Sequence, residues 1–271
     1  MGWNPNAPKT FRDPTAVRTF KIPRDPVKGG GELPIHITEP DLKAQGLSLE
    51  TWAASSVQAG LIQRLTEDQV SFPPSIADQS GSNPKIIPIL ELGAGTGMVG
   101  ISAAIKWNLH AVLTDLAPIV PGLAANIALN RDSLSEGQMS CGALDWSEPA
   151  RLDFHSFEAD GPSRKNPFEG ATAAHLVLAA DTIYSEEHPP LLAATVLRWL
   201  SRADPTARFV MCLPLRACYL DELRDLWSLL ETGGLECIQD GQEMADQRTF
   251  DDECLCEWSI WRWKPGFRKE G

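Results

Sequence analysis

The chain lacks the marks of several protein classes. None of its six cysteines forms a CxxC pair, and no histidine follows one at zinc-ligand spacing, so a structural zinc module is excluded and no metal is expected. Most of the cysteines sit in apolar runs such as Val210-Met211-Cys212-Leu213, which reads as buried free thiols kept in a reducing compartment. No apolar run approaches the roughly 20 residues of a membrane span. The first ten residues hold no apolar core of signal-peptide length. Positive charge is scarce: 24 Lys and Arg stand against 36 Asp and Glu, a net charge of −12. General binders of nucleic acid or anionic membranes need concentrated Lys and Arg, so neither partner is expected, whereas a basic protein partner is. The expectation is a soluble monomer of the cytoplasm or nucleus.

What is present suits one large folded domain. The chain has 271 residues, 43% hydrophobic and 22% charged, ordinary globular usage with length enough for a full core. The only basic stretch is the first 30 residues, where Lys9, Arg12, Arg18, Lys21, Arg24 and Lys28 outnumber Asp13 and Asp25. With its Pro and Gly content it reads as a solvated, loosely ordered arm, or else as a segment that docks on a partner or on the body of the protein. Residues 33–37 could form a short strand. Residues 1–48 are therefore set apart as an extension, and residues 49–271 as the main domain.

From residue 49 the pattern is helical, with Trp52, Val57, Leu61, Ile62 and Leu65 on one stripe. Residues 86–92 are an apolar run suited to a buried strand. Strands at 111–116, 139–144, 176–180 and 209–213 then alternate with helices marked by Met98, Ile101 and Ile105, by Ile119, Leu123 and Ile127, by Leu192, Val196 and Trp199, and by Leu220, Leu223, Trp227 and Leu230. This alternation predicts an α/β fold with a doubly wound, parallel sheet. Runs at 235–238 and 254–263 follow the last helix with too short a link for a crossover, so an antiparallel pair should finish the sheet. That makes seven strands with an antiparallel edge. Residues 147–173 are polar with Pro and Gly and read as a surface insertion.

The strongest motif is Glu91-Leu92-Gly93-Ala94-Gly95-Thr96-Gly97-Met98-Val99-Gly100. It follows an apolar strand and opens a helix. Glycines allow a tight turn and close approach of a ligand to the backbone, and the helix start favours polar or anionic groups. Asp115 ends the next strand, 20 residues after Gly95 and 22 after Gly93. A carboxylate there can accept from both ribose hydroxyls of an adenosine cofactor, whether NAD or S-adenosylmethionine. Context favours the second. Some 85 residues precede the loop, including a helix with Trp52. Glu91 would oppose a pyrophosphate but would suit a cationic methionine moiety.

The run ELGAGTGMVG with Asp115 resembles the first motif and acidic loop of class I, seven-strand S-adenosylmethionine-dependent methyltransferases. More narrowly, the chain resembles the family 16 protein-lysine methyltransferases over roughly residues 33–264. Their pattern is met as Thr51-Trp52-Ala53-Ala54, as Asp145-Trp146 and as Asp181-Thr182-Ile183-Tyr184. It departs from them at Ala53, where relatives often carry Pro, and in the basic arm and the 147–173 insertion. The resemblance implies a Rossmann-like fold and transfer of a methyl group to a protein lysine, with translation factors and chaperones as candidate substrates. It also implies contact of Trp52, Glu91, Gly93, Ala94, Gly95, Asp115 and Leu116 with S-adenosylmethionine. Asp145 could accept from the adenine amino group, Trp146 could cover the ring, and small Ala180 lets the backbone lie against the cofactor. Asp181 would hold the lysine ammonium by a charge-assisted bond, and Tyr184 would line the channel; these two form the expected catalytic pair. A packing role for each Trp and a helix-capping role for Asp181 remain open. So do a non-catalytic subunit, a small-molecule N-methyltransferase and an NAD-linked oxidoreductase. The five histidines show no ligand spacing and receive no chemistry.

Overall fold

The computed structural model describes residues 13, 15–44, 46–77, 85–155, 168–250 and 254–268. An antiparallel hairpin comes first, β1 (Arg18–Pro23) with β2 (Glu32–Ile37), pairing Arg18 with Ile37 and Pro23 with Glu32. A minimal ribbon follows, β3 (Lys43–Ala44) with β4 (Leu47–Ser48). Then come α1 (Ala53–Arg64) and the short α2 (Pro74–Ala77). The alternating body runs β5 (Ile86–Leu92), α3 (Met98–Trp107), β6 (Ala111–Asp115), α4 (Val120–Leu129) and β7 (Met139–Ala143). It continues with β8 (Asp153–Phe154), β9 (Ala173–Ala180), α5 (His188–Trp199), β10 (Arg208–Pro214), α6 (Leu220–Thr232), β11 (Leu235–Met244) and β12 (Leu255–Trp263).

The central sheet has the order β11-β12-β10-β9-β5-β6-β7-β8. Strands β10, β9, β5, β6 and β7 are parallel neighbours, as their nearly continuous apolar sequences require. On one face, α1, α3 and α4 bury Val57, Ile62, Ile101 and Leu123. On the other, α5 and α6 bury Leu192, Val196, Leu226 and Leu230 around Trp199, Trp261 and Trp263. Strand order reverses at β5, between β6 and β9. Open α/β sheets bind ligands in the crevice at the carboxyl ends of such strands. Among the described residues no helix is long and apolar enough to cross a membrane.

The antiparallel strand β12 inserts between β10 and β11 rather than forming the edge. β11 runs on to Met244, six residues past the expected end. An eighth strand, β8, pairs antiparallel with β7 at the opposite edge. The second half of the basic arm is not loose. Phe20, Ile22, Leu33, Ile35 and Ile37 are buried in the core shared with α1, α3 and α4. Lys21 between Phe20 and Ile22, and charged Arg18 at the head of the strand, hid this two-residue alternation. Lys9 and Arg12 lie outside the described residues. The insertion is anchored at both ends: Phe168 is buried against the His110 ring at 4.5 Å, and Pro149 O accepts from Trp199 Nε1 at 2.8 Å. Its residues 156–167 lie outside the described residues. All six cysteines are free; Cys141, Cys212, Cys254 and Cys256 are buried and Cys218 is exposed.

Candidate cofactor and methyl-acceptor site

The glycine loop joins β5 to α3 at the switch point. Gly93, Gly95 and Gly97 have φ of +64°, +53° and +86°, a region that only glycine adopts freely. A Cβ on Gly93 would lie 3.1 Å from Thr182 Cγ2 and 3.2 Å from Trp146 Cζ2, so the loop floor closely meets the opposite wall. The loop is tied from outside as well. Asn126 on α4 accepts from Thr38 N–H and Oγ1, both at 2.8 Å, and donates to Thr38 O and Thr96 O at 3.0 and 3.1 Å. Thr51 and Thr96 hydroxyls bond at 3.1 Å, and Thr51 N–H donates to Glu39, which also pairs with Arg18. The N-terminal hairpin thus braces the loop.

Beside the loop, at the carboxyl edge of the sheet, opens a cleft, the place where open α/β sheets bind ligands. Trp52, Gly93, Ala94, Gly95, Asp115, Leu116, Asp145, Trp146, Ala180, Asp181 and Tyr184 all line it. Glu91 does not. Along β5, Ile89 and Glu91 point to the α3 side while Leu90 and Leu92 point to the other. The Glu91 carboxylate accepts from Gly100 N–H at 2.9 Å. Burial pushes it up to about 8, against the opposing effect of that bond. Glu91 secures the start of α3 from beneath and is not among the residues that line the cleft.

Asp115 accepts from Gly95 N–H and Leu116 N–H, each at 2.7 Å. Burial raises it to about 6, and these two bonds limit the rise. Each oxygen keeps a lone pair free of these two bonds, as ribose hydroxyls require. Asp145 is exposed and accepts from Ser147 N–H and Oγ at 2.9 and 2.7 Å; it shapes the turn that presents Trp146. His188 stands edge-on to both aromatic walls, 5.9 Å from Trp146 and 4.2 Å from Tyr184. Desolvation lowers its affinity for a proton, so it sits there neutral. Burial pushes Tyr184 up to about 12, leaving a phenol and not a base at neutral pH.

Asp181 departs most from expectation. It caps no helix, since α5 begins at His188 behind Glu187. Its φ is +52°. Arg216, in the loop after β10, donates to its two oxygens at 2.6 and 2.9 Å. The sequence reading missed Arg216, Thr182 and His188. Only Thr182 stood inside a recognised motif.

The residues fit S-adenosylmethionine. Asp115 suits the ribose, Trp146 lines the cleft beside Gly93, and Thr182 Oγ1 is a buried hydroxyl of the cleft with no partner among the described residues. A family model described as lysine methyltransferase matches residues 32–219. The chain belongs to the lysine methyltransferase family. S-adenosylmethionine is its cofactor. Among curated relatives, protein-lysine N-methyltransferase EFM2 of Saccharomyces cerevisiae is 31% identical over 236 residues, 84% of this chain and 50% of the relative. Protein-lysine N-methyltransferase rrg1 of Schizosaccharomyces pombe is 28% identical over 255 residues, 92% and 71%. EEF1A lysine methyltransferase 3 of Xenopus tropicalis is 32% identical over 108 residues, 40% and 39%. The chain spans half the length of the budding-yeast relative.

Proposed function

We propose that this lysine methyltransferase family member transfers a methyl group to a lysine side chain of a protein. One observation carries the reading: Asp115, the ribose acceptor, and Asp181 with Tyr184, the acceptor-end pair, line a single cleft at one edge of the sheet. When bound, S-adenosylmethionine supplies an electrophilic methyl group on a sulfonium. Asp115, the glycine loop, Trp52 and Trp146 would hold it. The chain's own task is alignment and exclusion of water. Asp181 and the phenol of Tyr184 can accept from the amine N–H groups and so aim its lone pair. A lysine of ordinary pKa near 10.4 must first shed its proton, which a desolvating, aromatic channel favours.

The relatives' names support a protein as acceptor, and the Xenopus relative makes a translation factor a first substrate to try. The acidic surface suits a basic partner. The same reading keeps the protein a monomer of the cytoplasm or nucleus, consistent with its free thiols. The test is incubation with cell extract and cofactor labelled in the methyl group, followed by mass spectrometry of the labelled band. Methyl-lysine in one or a few proteins is the expected result. Label confined to small molecules, or cofactor binding with no transfer, would replace this reading by a small-molecule enzyme or a regulatory subunit.

A further inference from the structure

The start of α4 borders the cleft, where Leu116 and the helix-capping residue Ile119 line it. One face of this helix receives the N-terminal extension. Asn130, at the far end, accepts from His36 N–H at 2.9 Å and donates to His36 O at 2.7 Å. Asn126 holds Thr38 N–H and O in the same way, at 2.8 and 3.0 Å. Four residues nearer the start, Gly122 faces Pro40, Leu42 and Leu49. The helix positions therefore repeat every four residues, while His36, Thr38 and Pro40 repeat every two. Four helical residues rise about 6 Å and two strand residues about 6.6 to 6.8 Å, so the two segments stay in step.

At the third step α4 offers no side chain. A Cβ on Gly122 would lie 2.6 Å from Leu49 Cδ2, 2.8 Å from Leu42 Cδ1 and 3.2 Å from Pro40 Cγ, closer than packed carbons stand. Gly122 lies within a regular helix, where Ala would be the better helix former. What glycine supplies there is room. Leu49 N–H donates to Leu42 O at 2.8 Å, which closes the base of the β3–β4 ribbon over this spot. Leu49 Cδ1 also comes within 4.0 Å of where a Cβ on Gly95 would stand, so this one side chain packs between α4 and the glycine loop. Ala44, Ser48, Leu49 and Glu50 then line the cleft together with Leu116 and Ile119.

We propose that Gly122 is a positioning residue for the cofactor: its missing side chain seats Leu42 and Leu49, and through them makes the β3–β4 ribbon a wall of the cleft that slows departure of S-adenosylmethionine. This rests on the reading of the cleft as the cofactor site and deepens it.

The experiment compares wild type, Gly122→Ala, Gly122→Leu, Leu42→Ala and the double variant Gly122→Ala with Leu42→Ala. Ala and Leu both form helix more readily than Gly, so α4 itself is not weakened by propensity. Release of S-adenosylmethionine is followed by stopped-flow displacement, and Tm and amide hydrogen exchange are measured on the free protein. The release rate should rise about fivefold in Gly122→Ala and further in Gly122→Leu, with the association rate within about twofold of wild type. Exchange of Leu49 N–H should quicken about tenfold in Gly122→Ala while the amides of α4 and the Tm hold, because a local opening and not the global fold is affected. Leu42→Ala leaves α4 intact and should speed release as well. The double variant should fall short of the product of the two single effects, since both act on one seat. Wild-type release and wild-type Leu49 exchange in Gly122→Ala would overturn the proposal while the cofactor site stands. A lowered Tm with unchanged release would overturn it too, leaving Gly122 a packing residue only. If Gly122→Leu does not fold, Gly122→Ala and Leu42→Ala still decide the matter. A folded wild type that binds no S-adenosylmethionine would overturn both the cleft reading and the proposal.

Discussion

The N-terminal extension, residues 1–48, and the insertion after β7 both lie outside the strand–helix repeat, and both have a loop-like composition. They behave differently. The extension buries Phe20, Ile22, Leu33, Ile35 and Ile37 in the core and reaches the glycine loop through Asn126 and Thr51. The described residues of the insertion are tied by β8, Pro149 and Phe168. Composition therefore does not decide which decoration matters. A period-two apolar pattern, matched by buried polar partners elsewhere in the chain, does.

The largest effect should come from Asn126→Ala, which removes the Thr38–Asn126–Thr96 link between extension and loop. It strips partners from Thr38 N–H, its hydroxyl and carbonyl, and from Thr96 O. Unpaired buried groups cost about 1–3 kcal/mol each, so a loss of about 4 kcal/mol is expected by urea melting, with cofactor affinity falling as well. Asn126→Ala with wild-type affinity would break the claim that the extension braces the loop. Next comes Ile35→Ala, which opens a cavity under the hairpin and should cost about 3 kcal/mol. Because it leaves the polar strut intact, cofactor affinity should change little.

The loop has its own inner anchor, and Glu91→Gln separates that from the hairpin. Glu91 is raised in the fold from 4.5 to about 8. Its contribution is therefore fully present below pH 4.5 and is lost as pH rises through about 8. Gln can still accept from Gly100 N–H and cannot ionise. Melting temperatures of wild type should fall from pH 5 to pH 9, and the variant should fall less; equal slopes would place the ionisation elsewhere. The smallest effect should follow replacement of residues 156–167 by a short Gly-Ser link. Both anchors remain, so stability should stay within about 0.5 kcal/mol and cofactor affinity should be unchanged. An unfolded product would reverse the contrast between the two segments.

Much of this was legible in the sequence because it repeats locally. The alternation from Ile86 onward marked the parallel strands and their helices, and the glycine run with Asp115 marked the cofactor end of the sheet. What was not legible depended on direction or distance. Glu91 stands in the motif, but its position on the strand turns it beneath α3 rather than into the cleft. Arg216 follows β10 in a loop without signature, and only the fold brings it to Asp181, 35 residues away in sequence. β12 could be recognised as antiparallel, but its place between β10 and β11 rests on long-range pairing with both, which local pattern does not carry. In the arm, outward Lys21 and charged Arg18 at the strand's head masked inward Phe20 and Ile22.

The reading of the carboxyl-edge cleft as an S-adenosylmethionine site turns on Asp115. Calorimetric titration of wild type and Asp115→Ala with S-adenosylmethionine, its demethylated product and NAD tests it most directly. Hydrogen bonds to a charged group contribute about 1.5–3 kcal/mol each, so the account predicts one-to-one binding by wild type and a loss of about 30-fold, roughly 2 kcal/mol, in the variant, with no heat from NAD. Saturable binding of NAD, or an Asp115→Ala protein that binds S-adenosylmethionine as wild type does, would contradict it.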